Sequence, residues 1–153
     1  VPKARGTIFD LPDAIQQARE RLASDPLAGR VALAAGDFYQ DELPSGADFA
    51  WLSAIIHQHA REDSRALFAK IHRALVPGGR IAIRDFVMDP SRLRPPAGAL
   101  FAGNMLANTE RGDTFTFDEI AEDLRAAGFA DPKLWIDTGD MNSVVAAARP
   151  SAG

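Results

Sequence analysis

The sequence has 153 residues, a formal net charge of -4 and an apolar fraction of 46%, all ordinary for one globular domain. Nucleic-acid-binding proteins carry a clustered basic face that this balance does not provide, so we expect no nucleic-acid partner. Cysteine is absent, which excludes disulfides and thiolate metal sites and fits a reducing cytoplasm. Apolar runs stay well below the roughly 20 residues that cross a bilayer, so we expect no membrane partner.

The first residues do not have the features of a natural start. The segment Val1-Pro2-Lys3-Ala4-Arg5-Gly6 contains no initiator methionine and does not resemble a signal peptide. It leads directly into a predicted short buried strand, Thr7–Phe9. We therefore expect these residues to be part of a longer polypeptide.

The hydrophobic pattern predicts strands that alternate with helices. A helix over Pro12–Ser24 has proline in its first turn, where proline is favoured, and Asp10 can cap it. The other predicted elements, in chain order, are strands Val31–Ala35 and Phe49–Ser53, helix Glu62–Leu75, strand Arg80–Val87, helix Ala97–Asn108, a helix from Thr116 to about Ala127, and strands Lys133–Asp137 and Ser143–Ala148.

Local signals set several of these boundaries. Pro77-Gly78-Gly79 is a stop signal after the helix Glu62–Leu75. Thr116-Phe117-Asp118-Glu119 has the spacing of a capping box, and Gly128 ends the helix that it opens. Only Thr138–Asn142 separates the last two strands, so that pair must be antiparallel. Strands alternating with helices predict an α/β layered fold.

Two acidic residues directly follow strands of this predicted sheet. They are Asp10, in Phe9-Asp10-Leu11-Pro12, and Asp37, in Gly36-Asp37-Phe38. Ligands bind beyond the carboxyl ends of parallel strands, where a carboxylate can accept both hydroxyls of a ribose. A second carboxylate on the next strand can reach the base of the same nucleoside. The pair predicts a nucleoside cofactor, although the glycine-rich turn that normally lies about 20 residues upstream is missing.

Five motifs occur together in a familiar order. They are Phe9-Asp10-Leu11-Pro12, Gly36-Asp37-Phe38, Ile55-Ile56-His57, Ala74-Leu75-Val76-Pro77-Gly78-Gly79-Arg80 and Ala126-Ala127-Gly128-Phe129. Along nearly its whole length the sequence resembles the catalytic domain of S-adenosylmethionine (SAM)-dependent O-methyltransferases of the plant caffeate and bacterial antibiotic type. The resemblance implies a Rossmann-like class I methyltransferase sheet, mostly parallel with an antiparallel terminal pair, whose first strand is missing from this chain.

The resemblance also implies a cofactor and a reaction. SAM would donate a methyl group to a hydroxyl of a small aromatic or polyketide-like molecule. Asp10 would hold the ribose hydroxyls of SAM, with Leu11 packing beside it. Asp37 would bind the adenine amino group, and Phe38 would lie against the adenine ring. Ser53 stands where many family members have a lysine near the cofactor.

The acceptor side of the implied site centres on a histidine. His57 matches the general base of the family, and Asp85 matches the carboxylate that orients it. Imidazole suits this task because its unperturbed pKa is close to the working pH. Met105 matches a position that confines the acceptor ring, and Asn108 is assigned to the same substrate-binding helix. The resemblance implies no metal ligand.

The resemblance further implies segments beyond these residues. Residues 1–153 would form a partial SAM-binding domain that lacks the first βα unit and the N-terminal dimerisation domain. The full-length protein would be a cytoplasmic homodimer. Three departures leave open a catalytically impaired homologue that binds the cofactor or dimerises: Ser53, His59 in place of an adenine-stacking tryptophan, and Thr114 in place of a second carboxylate. An NAD-dependent enzyme on a similar sheet is a less attractive alternative.

Each candidate residue also has a simpler interpretation. Asp10 can be only a helix cap, and Asp37 can merely begin a turn. His57 can be a satisfied polar residue at the edge of the core. With His59 and Asp63 it also resembles a metal site, but further spaced ligands are lacking.

Overall fold

The computed structural model describes residues 3–151, so Val1 and Pro2 of the predicted lead into the first strand lie outside the described residues. The chain divides into two compact units, Val1–Pro44 and Ser45–Gly153. Each unit has its own sheet or sheets.

The first unit contains two parallel strands and one α-helix. Its elements are β1 (Gly6–Asp10), α1 (Pro12–Leu22), a short 3-10 helix (Ala28–Arg30) and β2 (Val31–Ala35). The predicted cap of α1 is wrong, because the N-cap is Leu11 and no side chain caps the helix. The Asp10 carboxylate instead accepts a hydrogen bond from the Leu11 N–H, at 2.8 Å. It is therefore not used by the first turn of the helix.

The second unit is built on a mixed sheet with the strand order β3-β4-β8-β7. β3 and β4 are parallel, whereas β8 runs antiparallel to both β4 and β7, which confirms the predicted terminal pair. Its elements are β3 (Ala47–Ser53), a short 3-10 helix (Ile56–Gln58), α2 (Arg61–Ala74), β4 (Leu75–Asp85), β5 (Val87–Met88), α3 (Pro96–Asn108), β6 (Phe115–Thr116), α4 (Phe117–Ala126), β7 (Ala130–Ile136) and β8 (Ser143–Ala148).

The junction between α2 and β4 differs from the prediction. The helix ends at Ala74, and Pro77-Gly78-Gly79 lies inside β4 rather than before it. Gly78 has a φ of +81°, a conformation that favours glycine. The Gly78 N–H donates to the Arg149 carbonyl, and the Arg149 N–H donates to the Gly79 carbonyl. The glycines therefore form an irregularity in a strand, and backbone hydrogen bonds to a distant segment decide this.

The two faces of the mixed sheet differ in how well they are covered. Ile81, Ile83 and Val145 are almost completely buried, and α2 and α4 contact these strands. Three aromatic side chains, by contrast, remain roughly half exposed: Phe49 (46%), Trp51 (54%) and Trp135 (48%). Phe49 stacks on Trp51, and the Arg80 guanidinium lies over the Trp135 ring. These side chains form an exposed apolar patch on the second unit.

A cluster of charges joins α2 to α4. Asp123 is 3% exposed and accepts hydrogen bonds from Arg61 Nε at 2.9 Å and Nη2 at 2.7 Å, and from Arg65. Glu122 pairs with the same two arginines, but its side chain is 63% exposed. The two neighbouring carboxylates therefore make the same kind of ion pair in very different surroundings.

We expect Asp123→Asn to lower the free energy of unfolding by about 2–3 kcal/mol, because it leaves partly buried guanidinium groups without a full counter-charge. Glu122→Gln is the matched control and should lower the free energy of unfolding much less, because exposed ion pairs contribute little. Denaturant unfolding followed by circular dichroism measures both changes. Equal losses in the two variants would show that burial of the pair does not decide its contribution.

Candidate functional site

The carboxylates of Asp10 and Asp37 lie at the same end of the parallel pair in the first unit. Asp10 is the last residue of β1 and is paired with Ala35, the last residue of β2. The Gly36 N–H donates to the Asp10 carbonyl at 2.9 Å, and Asp37 follows directly. A Cβ on Gly36 would lie 2.5 Å from the Phe9 ring, so a larger residue where the chain leaves β2 requires that ring to shift.

Asp37 shapes the turn in which it lies. One oxygen of its carboxylate accepts the Tyr39 N–H at 2.8 Å, and the other accepts the Gln40 side-chain amide at 3.3 Å. Phe38 is half-buried, with its ring 4.8 Å from that of the exposed Tyr39. Leu11 is 53% exposed beyond the end of β1. The simpler interpretation of Asp37 as a turn residue is therefore correct, and it does not preclude binding, because a carboxylate has about four acceptor sites.

A buried histidine–aspartate pair lies in the second unit. His57 is 6% exposed and Asp85 is 1% exposed. The His57 Nδ1 atom is 2.9 Å from each oxygen of the Asp85 carboxylate. One of these oxygens, Oδ1, also accepts the Phe86 N–H at 2.9 Å, which fixes the orientation of the carboxylate.

The parallel pairing of β3 with β4 brings these two residues together. Ser53, the last residue of β3, is paired with Arg84, and Asp85 is the next residue along β4. His57 lies in the short helix Ile56–Gln58 that follows β3. With Nδ1–H donating to Asp85, the neutral imidazole keeps Nε2 as an acceptor. No residue that the structure describes makes a hydrogen bond to Nε2, so this nitrogen can receive a proton.

The helix α3 supplies apolar groups beside the histidine. The Phe101 ring meets His57 edge to face, with centroids 4.9 Å apart, and also lies against Phe86 at 5.1 Å. Met105 is 8% exposed and follows Phe101 by one helical turn, so both lie on one face of α3. A Cβ on Gly98 would lie 2.5 Å from Met88 Sδ, so glycine lets α3 approach β5.

The other predicted site residues have different surroundings. Asn108 is exposed, and its amide donates to Asn104 in the preceding turn. Ser53 is half-buried, and its hydroxyl is 3.1 Å from Arg84 Nη1. Thr114 is 2% exposed, and its carbonyl accepts a hydrogen bond from Arg92. Glu110 is exposed, and Asp85 is the one acidic residue bonded to His57 among the residues that the structure describes.

Two further observations concern metals and membranes. Across residues 3–151, no group of three or more histidine, cysteine, aspartate or glutamate side chains is arranged to hold a metal ion. Asp63 pairs instead with Arg111. None of the helices within that range combines the length and the apolar character needed to span a bilayer.

Comparison with known proteins decides the family. Residues 1–130 match the model of the O-methyltransferase domain. The chain belongs to this O-methyltransferase family. It is 35% identical over 149 residues to the 3-hydroxy-5-methyl-1-naphthoate 3-O-methyltransferase of Streptomyces sahachiroi, covering 97% of this chain and 43% of that protein. It is 38% identical over 133 residues to the acetylserotonin O-methyltransferase of Gallus gallus, covering 87% and 38% of the two chains.

Solved structures of O-methyltransferases share the fold. The human N-acetylserotonin methyltransferase in complex with SAM superposes with a TM-score of 0.86 and 28% identity, covering 99% of this chain and 42% of that one. The predicted family and the α/β methyltransferase fold are both confirmed. This chain spans less than half the length of these relatives.

Sequence reasoning missed several residues around the candidate site of this O-methyltransferase domain. Phe101 carries the signal of helical spacing, since it precedes Met105 by four residues on an apolar helix. Arg92 carries no such signal. It has a φ of +59° and donates hydrogen bonds to Asp113, Thr114 and Glu119, which lie more than twenty residues further along the chain.

Two histidines outside the buried pair have lowered pKa values. Burial lowers the pKa of His59; the nearby Asp63 opposes this shift, and the charges of His57 and Arg111 add to it. Burial also lowers the pKa of His72, with a further contribution from Arg149. The ordinary pKa of histidine is 6.5. As the pH falls through this value, the folded chain therefore binds fewer protons at these two sites than the unfolded chain does.

We expect the free energy of unfolding to fall as the pH is lowered through and below 6.5, because the unfolded state then gains protons that the folded state resists. The double variant His59→Gln, His72→Gln should reduce this slope between pH 7.5 and 5.5, measured by denaturant unfolding at about three pH values. A slope equal to that of the wild type would contradict the assignment to these histidines.

Proposed function

We propose that the protein is a SAM-dependent O-methyltransferase that acts on a hydroxyl of a small aromatic or polyketide-like molecule. The observation that carries this proposal is the buried His57–Asp85 pair, in which Nδ1 is held at 2.9 Å and Nε2 remains an acceptor. Family membership supports the same reaction. The naphthoate and acetylserotonin methyltransferases among its relatives support an acceptor with an aromatic ring.

The proposed chemistry uses a general base and a group that orients it. SAM supplies an electrophilic methyl group when it is bound. His57 takes the proton of the acceptor hydroxyl at Nε2 as the oxygen becomes nucleophilic. Asp85 keeps the imidazole in the tautomer that can do this and stabilises the imidazolium that forms. Phe101 and Met105 provide an apolar wall beside the base and exclude water from it.

The proposed cofactor residues, except Ser53, lie in the first unit. Asp10 holds the ribose hydroxyls. Among the hydrogen bonds of the described residues, its carboxylate accepts only one, from the Leu11 N–H. Asp37 binds the adenine amino group through its remaining lone pairs, with Leu11 and Phe38 on the apolar faces of the nucleoside. Ser53, the last residue of β3 in the second unit, is the remaining proposed cofactor residue. The available oxygens at the end of the parallel pair fit such a ligand.

We further propose that residues 1–153 form part of a larger SAM-binding domain in a cytoplasmic homodimer. β1 and β3 each pair with only one neighbouring strand in the described residues, and Trp51 is half exposed on β3. The first βα unit with the glycine-rich loop, and an N-terminal dimerisation domain, would come from the rest of the polypeptide. On α3, Leu100 is 79% exposed and Leu106 is 80% exposed, which supports a partner subunit against this helix.

One observation favours a second candidate function, a homologue that binds the cofactor or dimerises without catalysis. The position of the second family carboxylate is occupied by Thr114, which is 2% exposed. A single acidic partner gives His57 less support as a base. Methyl transfer does not require a strong base, however, because positioning the donor and the hydroxyl in line supplies much of the acceleration.

We expect His57→Gln in the full-length protein to lower kcat for methyl transfer by about 10²–10⁴-fold, because the general base is lost. The dissociation constant for SAM should change less than about twofold, since the role proposed for His57 concerns the acceptor hydroxyl and not the nucleoside. Transfer of a labelled methyl group to hydroxylated aromatic acceptors measures the first effect, and calorimetry measures the second. Wild-type protein that binds SAM but methylates no acceptor would favour the non-catalytic homologue.

Asp10→Asn should weaken SAM binding by about tenfold or more, because the neutral amide accepts the ribose hydroxyls less strongly than a carboxylate does. Asp13→Asn is the matched control, since Asp13 is exposed in the first turn of α1 and should leave affinity unchanged. Titration calorimetry with SAM and with its demethylated product measures both variants. Equal affinities in the two variants would contradict the role of Asp10.

A further inference from the structure

The segment that follows α3 is bonded to the backbone of the candidate base. The Asp113 N–H donates to the carbonyl of His57 at 3.0 Å. The Gly112 N–H donates to the Thr109 hydroxyl at 2.8 Å, and that hydroxyl donates to the carbonyl of Met105 at 2.8 Å. A continuous series of hydrogen bonds and chain segments thus connects the last turn of α3 with the residue that carries the imidazole.

Gly112 lies directly against the backbone of His57. A Cβ added there would lie 2.5 Å from the His57 carbonyl oxygen and closer still to the Thr109 hydroxyl. Real Cβ atoms do not approach other heavy atoms to within 3.0 Å, and the His57 oxygen belongs to the backbone. The φ of Gly112 is not positive, so space rather than backbone conformation requires glycine here.

The imidazole of His57 is held from several sides at once. Asp85 binds Nδ1 at 2.9 Å, and Phe101 on α3 meets the ring edge to face at 4.9 Å. Asp85 belongs to β4, whereas Phe101 and Met105 belong to α3. The placement of the ring relative to α3 therefore depends on how close the segment after α3 lies to the His57 backbone.

We propose that Gly112 is a positioning residue for His57. Gly112 lets the segment after α3 approach the His57 backbone closely, and its N–H is hydrogen-bonded to Thr109. In this way Gly112 sets the distance between the base and the helix that carries Phe101 and Met105. The consequence for catalysis rests on the proposed methyl transfer, whereas the consequence for the geometry of His57 does not. A methyl group at position 112 pushes the segment away from the His57 carbonyl and turns or displaces the ring.

The chain offers a matched control for this substitution. Gly29 lies in the short 3-10 helix Ala28–Arg30, is exposed, and has no heavy atom within 4 Å of an added Cβ. Gly29→Ala therefore introduces the same methyl group without a steric conflict. It should leave the ring signals of His57 unchanged and keep any methyl transfer activity within about twofold of the wild type, since nothing contacts the new group.

The first measurement uses the full-length protein and needs no cofactor. His57→Gln and His72→Gln variants assign the ring signals of these two histidines in long-range ¹H–¹⁵N spectra, and His72 serves as an internal reference. Gly112→Ala should shift the ring nitrogen signals of His57 and leave those of His72 in place, while the circular dichroism spectrum stays folded. A folded Gly112→Ala chain with unchanged His57 signals would overturn the proposal.

The second measurement uses the full-length enzyme. Gly112→Ala should lower kcat at least tenfold while the KM values for SAM and acceptor stay within about threefold, because misplacement of the base affects the reaction more than binding. An unchanged kcat overturns the catalytic consequence. If no variant, including the wild type, transfers methyl groups but the His57 signals shift, the proposed function fails and the positioning role stands.

A second pair of variants covers the case in which Gly112→Ala does not fold. Thr109→Val removes the hydroxyl that accepts from Gly112 and donates to Met105, and it should shift the His57 ring signals in the same direction. Thr109→Ser keeps the hydroxyl and should restore the wild-type signals. Folded Thr109→Val with wild-type His57 signals would also overturn the proposal.

Discussion

The burial of the Asp85 carboxylate is the constraint around which the second unit is arranged. A carboxylate that is 1% exposed needs hydrogen bonds in place of water, and it obtains them from the His57 imidazole and the Phe86 N–H. These partners come from two different strand ends. The parallel pairing of β3 with β4 is therefore a condition both for a stable core and for a histidine with one nitrogen free.

Glycine provides the close approaches that surround the proposed site. At Gly36 a Cβ would meet the Phe9 ring, at Gly98 the Met88 sulfur, and at Gly112 the His57 carbonyl. Each contact lies beside a residue to which we assign a role, namely Asp37, Phe101 and His57. Side chains of catalytic and binding residues need defined positions, and tightly packed backbone fixes such positions more firmly than flexible side chains do.

Much of the fold was predictable because its signals are local. The capping box at Thr116 forms as expected, with the Thr116 side chain and Glu119 satisfying each other's backbone N–H groups. The helix before Pro77-Gly78-Gly79 ends as predicted, at Ala74, but these residues lie inside a strand because Gly78 and Gly79 are hydrogen-bonded to Arg149. Local propensity decides which conformations are available, and long-range hydrogen bonds select among them.

The sequence by itself determined the α/β class, the antiparallel terminal pair, and the residues that resemble an O-methyltransferase site. These depend on hydrophobic periodicity, loop length and short motifs, all of which are properties of neighbouring residues. The resemblance already implied that Asp85 orients His57, but only the tertiary structure decided that Nδ1 lies 2.9 Å from the carboxylate, that Phe101 meets the imidazole, and that Gly112 lies against the His57 backbone. Those contacts join residues 28 or more positions apart, and only the packing of strands and helices brings such residues together.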